Sequence, residues 1–254
     1  MIEIAQRIQA LDVPENGLGV IFMGQAGFIL KSPHGQLLGI DLYLSRCCER
    51  YFGFKRLMPQ LLQPGEVEFD FLAATHAHYD HFDVDSIPEL LANSKTHLYM
   101  AADCVAECER LGIDPKKYTV LEKGIAVNAG EFQILPVRCD HGELAKEALG
   151  LYITCGTKSF YIAGDTCLRE DIASEMSEFP ITLAAAPING AFGNMDSKDA
   201  AKFFSILRPE CCVPCHYWNF AQHLGDPNEF LEEMKKQAPA IPVMLLCPGE
   251  DIYI

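Results

Sequence analysis

Basic residues are scarce in this chain. There are 20 Lys and Arg against 35 Asp and Glu, a formal charge of −15, so no cationic surplus exists to hold nucleic acid or an anionic membrane by bulk electrostatics. No apolar run approaches the ~20 residues needed to span a bilayer. The opening Met-Ile-Glu-Ile-Ala-Gln-Arg-Ile interrupts its apolar positions with charges and has no secretory hydrophobic stretch, so a cytoplasmic protein is expected. Internal repeats, low-complexity tracts and linker-like stretches are also missing, and one domain over residues 1–254 is the expected organisation. Cysteine is not scarce. Its count of 11 is odd, however, and 254 residues with 49% hydrophobic content can bury a core without a disulfide framework, which points to reduced thiols.

Alternation and turn residues predict strands over Gly19–Met23, Ala26–Lys31 and Gln36–Asp41, with Ser32-Pro-His-Gly35 as a turn. Glu68–Ala74 reads as a buried strand, and further strands are expected at His97–Ala101, Glu131–Arg138, Leu149–Cys155, Ser159–Ala163, Ile181–Ala186, Cys211–Pro214 and Val243–Cys247. Helices are expected at Asp85–Ala92, Asp103–Leu111 (stopped by Gly112), Arg169–Ser177, Ser197–Leu207 (capped by Asp196) and Pro227–Gln237. Strands precede helices in two successive blocks, as when two sheets pack face to face with helices outside.

The histidines carry the functional information. Thr75-His76-Ala77-His78-Tyr79-Asp80-His81 sets three imidazoles and a carboxylate within six positions, at the end of a predicted buried strand. Residues two apart on a strand share a face, so His76 and His78 can bind one ion, and a following turn aims Asp80 and His81 at a second. Imidazole with carboxylate suits zinc, manganese or iron. A lone histidine here would be read as a solvated turn residue; four ligand-type residues at this spacing outweigh that reading. Further donors stand just beyond apolar runs at Cys139-Asp140-His141-Gly142, Gly164-Asp165-Thr166 and Cys215-His216-Tyr217.

H-x-H-x-D-H followed by separate His, Asp and His resembles the metallo-β-lactamase superfamily. The similarity runs from Gly24-Gln-Ala-Gly27 and Ile40-Asp-Leu-Tyr-Leu-Ser45 to His216-Tyr-Trp-Asn-Phe220 and Asp226-Pro227, and these flanks look most like the L-ascorbate-6-phosphate lactonase family. The resemblance implies an α/β (α+β) fold, an αββα four-layer sandwich, with two divalent ions (zinc or manganese, iron being compatible) along one edge. It assigns His76, His78 and His141 to the first ion, Asp80, His81 and His216 to the second, and Asp165 to a bridge between them. Asp41 matches a carboxylate that orients a ligand imidazole through its other nitrogen.

Tyr79, Asn189, Asn194, Tyr217, Trp218 and His223 lie in or beside the motif loops and are candidates to line a substrate pocket. For the two amides, ordinary turn chemistry is an equal alternative, and for Trp218 a core anchor. His223 also reads as an exposed histidine at a helix start. Arg46, Arg50, Lys55 and Arg56 are the densest basic stretch and could meet a phosphate, although solvated surface charge is the simpler reading. Cys212-x-x-Cys215 lies in an apolar strand and reads as packed thiols.

A water shared by two cations loses a proton near neutral pH and becomes a nucleophile, so Asp80 and Asp165 are the expected catalytic carboxylates of a metal-dependent hydrolase. The expected substrate is a small polar molecule, a lactone or ester that can carry a phosphate. A phosphodiesterase, phospholipase-like or nuclease, would use the same ions and is the main alternative; a non-catalytic metal-binding member is a remote one. Nucleic acid and membrane are not expected partners, and self-association into a homo-oligomer is left open.

Overall fold

The computed structural model describes residues 4–254; Met1, Ile2 and Glu3 of the opening stretch lie outside the described residues. After a short helix α1 (Ile4–Ala10), β1 (Gly19–Gly24), β2 (Gly27–Lys31) and β3 (Leu37–Ile40) form an antiparallel meander. Every residue of these three strands is buried, which is why they read as continuous apolar runs. The chain then passes through α2 (Cys47–Phe52) into β4 (Phe71–Ala74), through α3 (Ile87–Leu90) into β5 (His97–Met100), and through α4 (Cys104–Leu111) into β6 (Tyr118–Val120). Those three strands add in parallel beside β3, with Ile40 opposite Ala73 and Ala73 opposite Tyr99.

The second sheet begins with β7 (Val127–Ala129), β8 (Phe132–Arg138), β9 (Leu149–Cys155) and β10 (Lys158–Ile162), all antiparallel. Then α5 (Glu170–Met176) leads to β11 (Leu183–Pro187), and α6 (Ser197–Leu207) to β12 (Cys211–Cys215), both strands parallel to β10. After α7 (Pro227–Gln237) the chain returns to the first sheet, where β13 (Asp251–Tyr253) pairs antiparallel with β1. Each sheet is therefore mixed, with orders β13-β1-β2-β3-β4-β5-β6 and β12-β11-β10-β9-β8-β7.

The two sheets face each other, as the rings of Phe28 on β2 and Phe160 on β10 show with centroids 5.1 Å apart. Strand alternation divides the second sheet between two cores. Phe160, Ile162, Leu183, Ala185 and Val213 pack with the first sheet, whereas Tyr161, Ala184, Ala186 and Cys212 pack with Ile172, Phe203, Phe204 and Phe230 of the outer helices. Cys104, Cys108, Ile87 and Leu90 of α3 and α4 join the first core. This is the expected αββα sandwich. Asp196 accepts from the backbone N–H groups of Lys198 and Asp199 at 2.9 and 2.8 Å, as its capping position predicts.

One strand is misplaced in the reading above. Val243–Cys247 forms no strand; Val243 makes an isolated bridge to Cys212, between prolines 242 and 248 that have no N–H to give a ladder. The closing strand is Asp251–Tyr253, in the other sheet. All cysteines are free, including Cys212 and Cys215, and among the described residues no helix is long and apolar enough to cross a membrane.

Candidate metal centre

Six strand ends deliver side chains to one place. Gln25 and Asp41 directly follow β1 and β3, His76 stands two residues past β4, and His141 and Asp165 three past β8 and β10; His216 directly follows β12. The backbone bends sharply to make these deliveries. Gln25, Asp41 and His216 have φ values of +56°, +46° and +61°, in the left-handed region that non-glycine residues rarely adopt. Gly164 sits at φ +69° just before Asp165, where a Cβ would lie 2.5 Å from the Leu149 carbonyl oxygen, so only glycine lets β10 turn there.

Donor atoms of His76, His78, His141 and Asp165 all lie within 4.8 Å of one another, and so do those of His81, Asp165 and His216. Asp165 belongs to both groups. A third group of the same compactness joins Asp80, His216 and His223. His76 Nε2 and His78 Nδ1 are 2.9 Å apart, while His216 Nε2 lies 3.0 Å from His81 Nε2, 3.2 Å from Asp165 Oδ1 and 3.3 Å from Asp80 Oδ2.

Second partners set the tautomers. Asp41 is fully buried and accepts from Thr75 N at 2.8 Å, from Thr75 Oγ1 at 2.6 Å and from His81 Nδ1 at 2.8 Å. A carboxylate only accepts, so His81 donates Nδ1–H to Asp41 and faces the cluster with Nε2. Thr75 Oγ1, having given its proton to Asp41, can accept from His76 Nδ1 at 3.1 Å, which aims His76 Nε2 inward as well.

This arrangement fits a bound cation. Both ring nitrogens of His141 are buried without a hydrogen-bond partner, as is Nδ1 of His216. Inward lone pairs 3 Å apart repel one another unless a positive charge lies among them, and mixed imidazole and carboxylate donors suit a divalent transition metal.

The electrostatics agree. Burial holds His76 well below the usual imidazole range, brings His141 down to about 4, and with help from His216 brings His223 down to about 3. All three are neutral at pH 7, as metal ligands must be. Burial opposes charge on Asp80 and Asp165 too, but His81 and His216 outweigh it and hold both carboxyls well below their usual range. For His81, burial is outweighed by Asp165, Asp41 and Asp80, and its pKa is raised.

A cavity of about 520 Å³ opens over the cluster, lined on its floor by His78, Asp80, His141, Asp165, His216 and His223. Tyr79 and His223 thus reach the pocket, and His223 is buried rather than exposed. The other four pocket candidates do not line it. Asn189 and Asn194 are buried in their loop, Tyr217 packs toward the second core, and Trp218 is 51% exposed with Nε1 donating to the Gly225 carbonyl at 2.9 Å. The basic stretch is also engaged elsewhere. Arg50 pairs with Asp85, Arg46 faces Glu49, and Arg56 donates to the carbonyls of Tyr43 and Ser45 at 2.8 and 3.1 Å while Lys55 is exposed. Among the described residues no Lys or Arg lines the cavity.

Gln25 was not anticipated from the sequence. Its Nε2 donates to Asp80 Oδ2 at 2.7 Å and lies 3.1 Å from both His216 Nε2 and His223 Nδ1, and its backbone carbonyl accepts from His216 N at 2.7 Å. Its position in Gly24-Gln-Ala-Gly27, a hairpin with glycines on both sides, was the available signal. Phe52, Phe54, Leu144 and Phe192 also line the cavity unforeseen.

Fold and cluster together define a metallohydrolase. Residues 47–217 match the family model of the β-lactamase superfamily domain, and the chain belongs to that superfamily. A UPF0173 metal-dependent hydrolase of Aeropyrum pernix is 28% identical over 242 residues, covering 90% of this chain and 94% of that protein. One from Pyrococcus furiosus is 30% identical over 197 residues, covering 73% and 81%. Among solved structures, Igni18, a metallo hydrolase of Ignicoccus hospitalis, shares the fold with TM-score 0.74 at 24% identity over 94% of this chain and 98% of its own. An isothiocyanate hydrolase from Delia radicum gut bacteria does so with TM-score 0.72 at 19% identity over 92% and 98%. This protein is a metal-dependent hydrolase of the metallo-β-lactamase fold.

Proposed function

We propose that the chain is a single hydrolase domain that cleaves a small-molecule lactone or carboxylic ester with two divalent ions, zinc or manganese. His76, His78 and His141 would hold one ion and Asp80, His81 and His216 the other, with Asp165 between them; His223 and Gln25 close the second group from the side. The observation that carries this reading is that Asp165 belongs both to the group of His76, His78 and His141 and to the group of His81 and His216. Divalent ions bound there supply Lewis acidity and a water acidified to near neutral pKa.

The protein's own groups do the rest. Asp165 turns Oδ1 to His81 and His216, at 3.3 and 3.2 Å, and Oδ2 to His141, at 3.7 Å, so its negative charge faces both sets of donors. The Asp80 side chain is 15% exposed against 5% for Asp165, so it is the carboxylate a substrate can reach, and we assign to it the proton that passes to a leaving alkoxide. Gln25 Nε2 donates to Asp80 Oδ2, the oxygen that also faces His216, and holds that carboxylate in place. Burial of His76, His81, His141, Asp165 and His216 in the cluster strengthens the interactions among these groups. The charge of −15 speaks against a polyanionic substrate, and we place the protein in the cytoplasm on the composition of its sequence.

The test is a panel of lactones, carboxylic esters and phosphodiesters given to protein loaded with Zn²⁺ or Mn²⁺. Lactone or ester turnover that disappears with a chelator and returns with metal is the expected result. Phosphodiester turnover with neither lactone nor ester cleaved would replace this reading by the phosphodiesterase one.

A further inference from the structure

Above the cluster, the cavity walls change character. The ring of Phe52 lies 5.3 Å from that of Tyr79 and 6.3 Å from that of Phe54, Phe54 lies 5.8 Å from Phe192, and Phe192 lies 5.6 Å from the His223 ring at the floor. These aromatics, with Leu144 on the wall beside His141, make one continuous apolar rim that ends on the candidate ligands. Tyr79 turns its hydroxyl to Glu107 at 3.3 Å, which leaves its ring to the cavity.

Large apolar side chains this exposed are unfavourable unless something covers them. Phe52, Leu144 and Phe192 are 55%, 54% and 45% exposed. Phe192 also sits at φ +55°, a backbone conformation that a bulky side chain resists, in the loop between β11 and α6. Its ring lies between Phe54 and the His223 ring of the floor. Among the described residues that line the cavity, the charged groups besides imidazoles are Asp80 and Asp165, both at the floor. Charge is therefore confined to the reacting end, and the remaining surface suits an uncharged hydrocarbon body.

We propose that the substrate's body, beyond the scissile bond, is an uncharged aromatic or alkyl group that packs on Phe52, Phe192 and Leu144. This deepens the hydrolase reading and rests on it for the position of the scissile bond. A volume of about 520 Å³ lies within the range of pockets that enclose small organic molecules. A ring or chain seated there buries apolar surface on both partners, and the aromatic rim adds ring-to-ring contact. Polar and phosphorylated small molecules gain neither.

Binding tests this without relying on turnover. Acetohydroxamate and phenylbutyrohydroxamate present the same metal-chelating head and differ in the apolar body; their affinities for zinc-loaded protein are measured by calorimetry. The phenylbutyl compound is expected to bind at least about tenfold more tightly, a conservative return on burying one phenyl ring. Phe52→Ala and Phe192→Ala should each reduce that ratio several-fold, and Phe52→Leu should restore part of it. Both positions are exposed, and thermal melts of the variants report folding separately. A ratio within about twofold of unity overturns the proposal, and so does a ratio that the two alanine variants leave unchanged. If the variants instead split a dimer without moving the ratio, the rim is a contact between copies and the proposal falls. Turnover of γ-butyrolactone and bis(p-nitrophenyl) phosphate, assayed in parallel, judges the reaction itself. Phosphodiester cleavage alone would sink the lactone and ester reading while the hydroxamate ratio still decides the nature of the pocket.

Discussion

Asp41 Oδ2 accepts a hydrogen bond from His81 Nδ1 at 2.8 Å, and both side chains are wholly buried. The bond fixes which nitrogen of His81 faces the donor cluster, and Asp41 sits at φ +46° to make it. Asp41→Asn tolerates the same backbone but loses the charge that holds the imidazole proton on Nδ1. Metal affinity should fall about ten- to a hundredfold in chelator competition, the usual effect of losing such an orienting partner. Unchanged affinity would mean that the Asp41–His81 bond serves the fold alone.

Asp165→Ala removes the donor that the His76–His78–His141 group shares with His81 and His216. Metal content should drop, and kcat should fall by more than about a hundredfold, beyond the range for orienting partners. Elemental analysis and steady-state kinetics on the same preparation check both. Near wild-type rates with metal retained would remove Asp165 from the mechanism.

Metal-free protein should lose thermal stability as pH falls from 7 to 5. His141, with a folded pKa of about 4, and His76 and His223, also lowered, stay neutral while their unfolded counterparts take up protons near 6.5. The unfolded state therefore binds more protons across roughly pH 6.5 to 4, and stability declines through that window. His81 opposes this: its raised pKa contributes stability that is complete below about 6.5 and fades as pH rises through the folded value. Three lowered imidazoles against one raised predict a net decline, read by calorimetry with chelator present. A flat or rising Tm between pH 7 and 5 would contradict the burial assigned to these rings.

Gly164→Ala should be costly although it adds one methyl group. The new Cβ would meet the Leu149 carbonyl oxygen at 2.5 Å, and φ +69° is strained for alanine. A loss of about 2–4 kcal/mol, roughly 4–16 °C in Tm, is expected from thermal unfolding.

Much of the donor set was legible along the chain because its chemistry is local. His76, His78, Asp80 and His81 follow an apolar strand with a spacing of two and then a turn, and only imidazoles and carboxylates carry these lone pairs. His141, Asp165 and His216 each stand just past a strand end, and all three arrive at the cluster. The strand misplaced at Val243–Cys247 was apolar and short, and nothing local distinguishes a run that makes a single bridge from one that makes a ladder.

The pocket was not legible in the same way. Trp218 and Tyr217 are close in sequence to His216, yet their side chains leave in other directions because His216 and Trp218 both adopt left-handed backbone, at φ +61° and +60°. Phe52, Leu144 and Phe192 come from α2, the segment after His141 and the loop before α6, far apart in sequence, and the helix α2 was too short to show a period. The kind of donor atom and its strand-end position are local properties, set by side-chain chemistry and a two-residue repeat. Which apolar rings surround those donors depends on how two sheets stack and where their loops cross, and that comes from packing between residues distant along the chain, which no local pattern encodes.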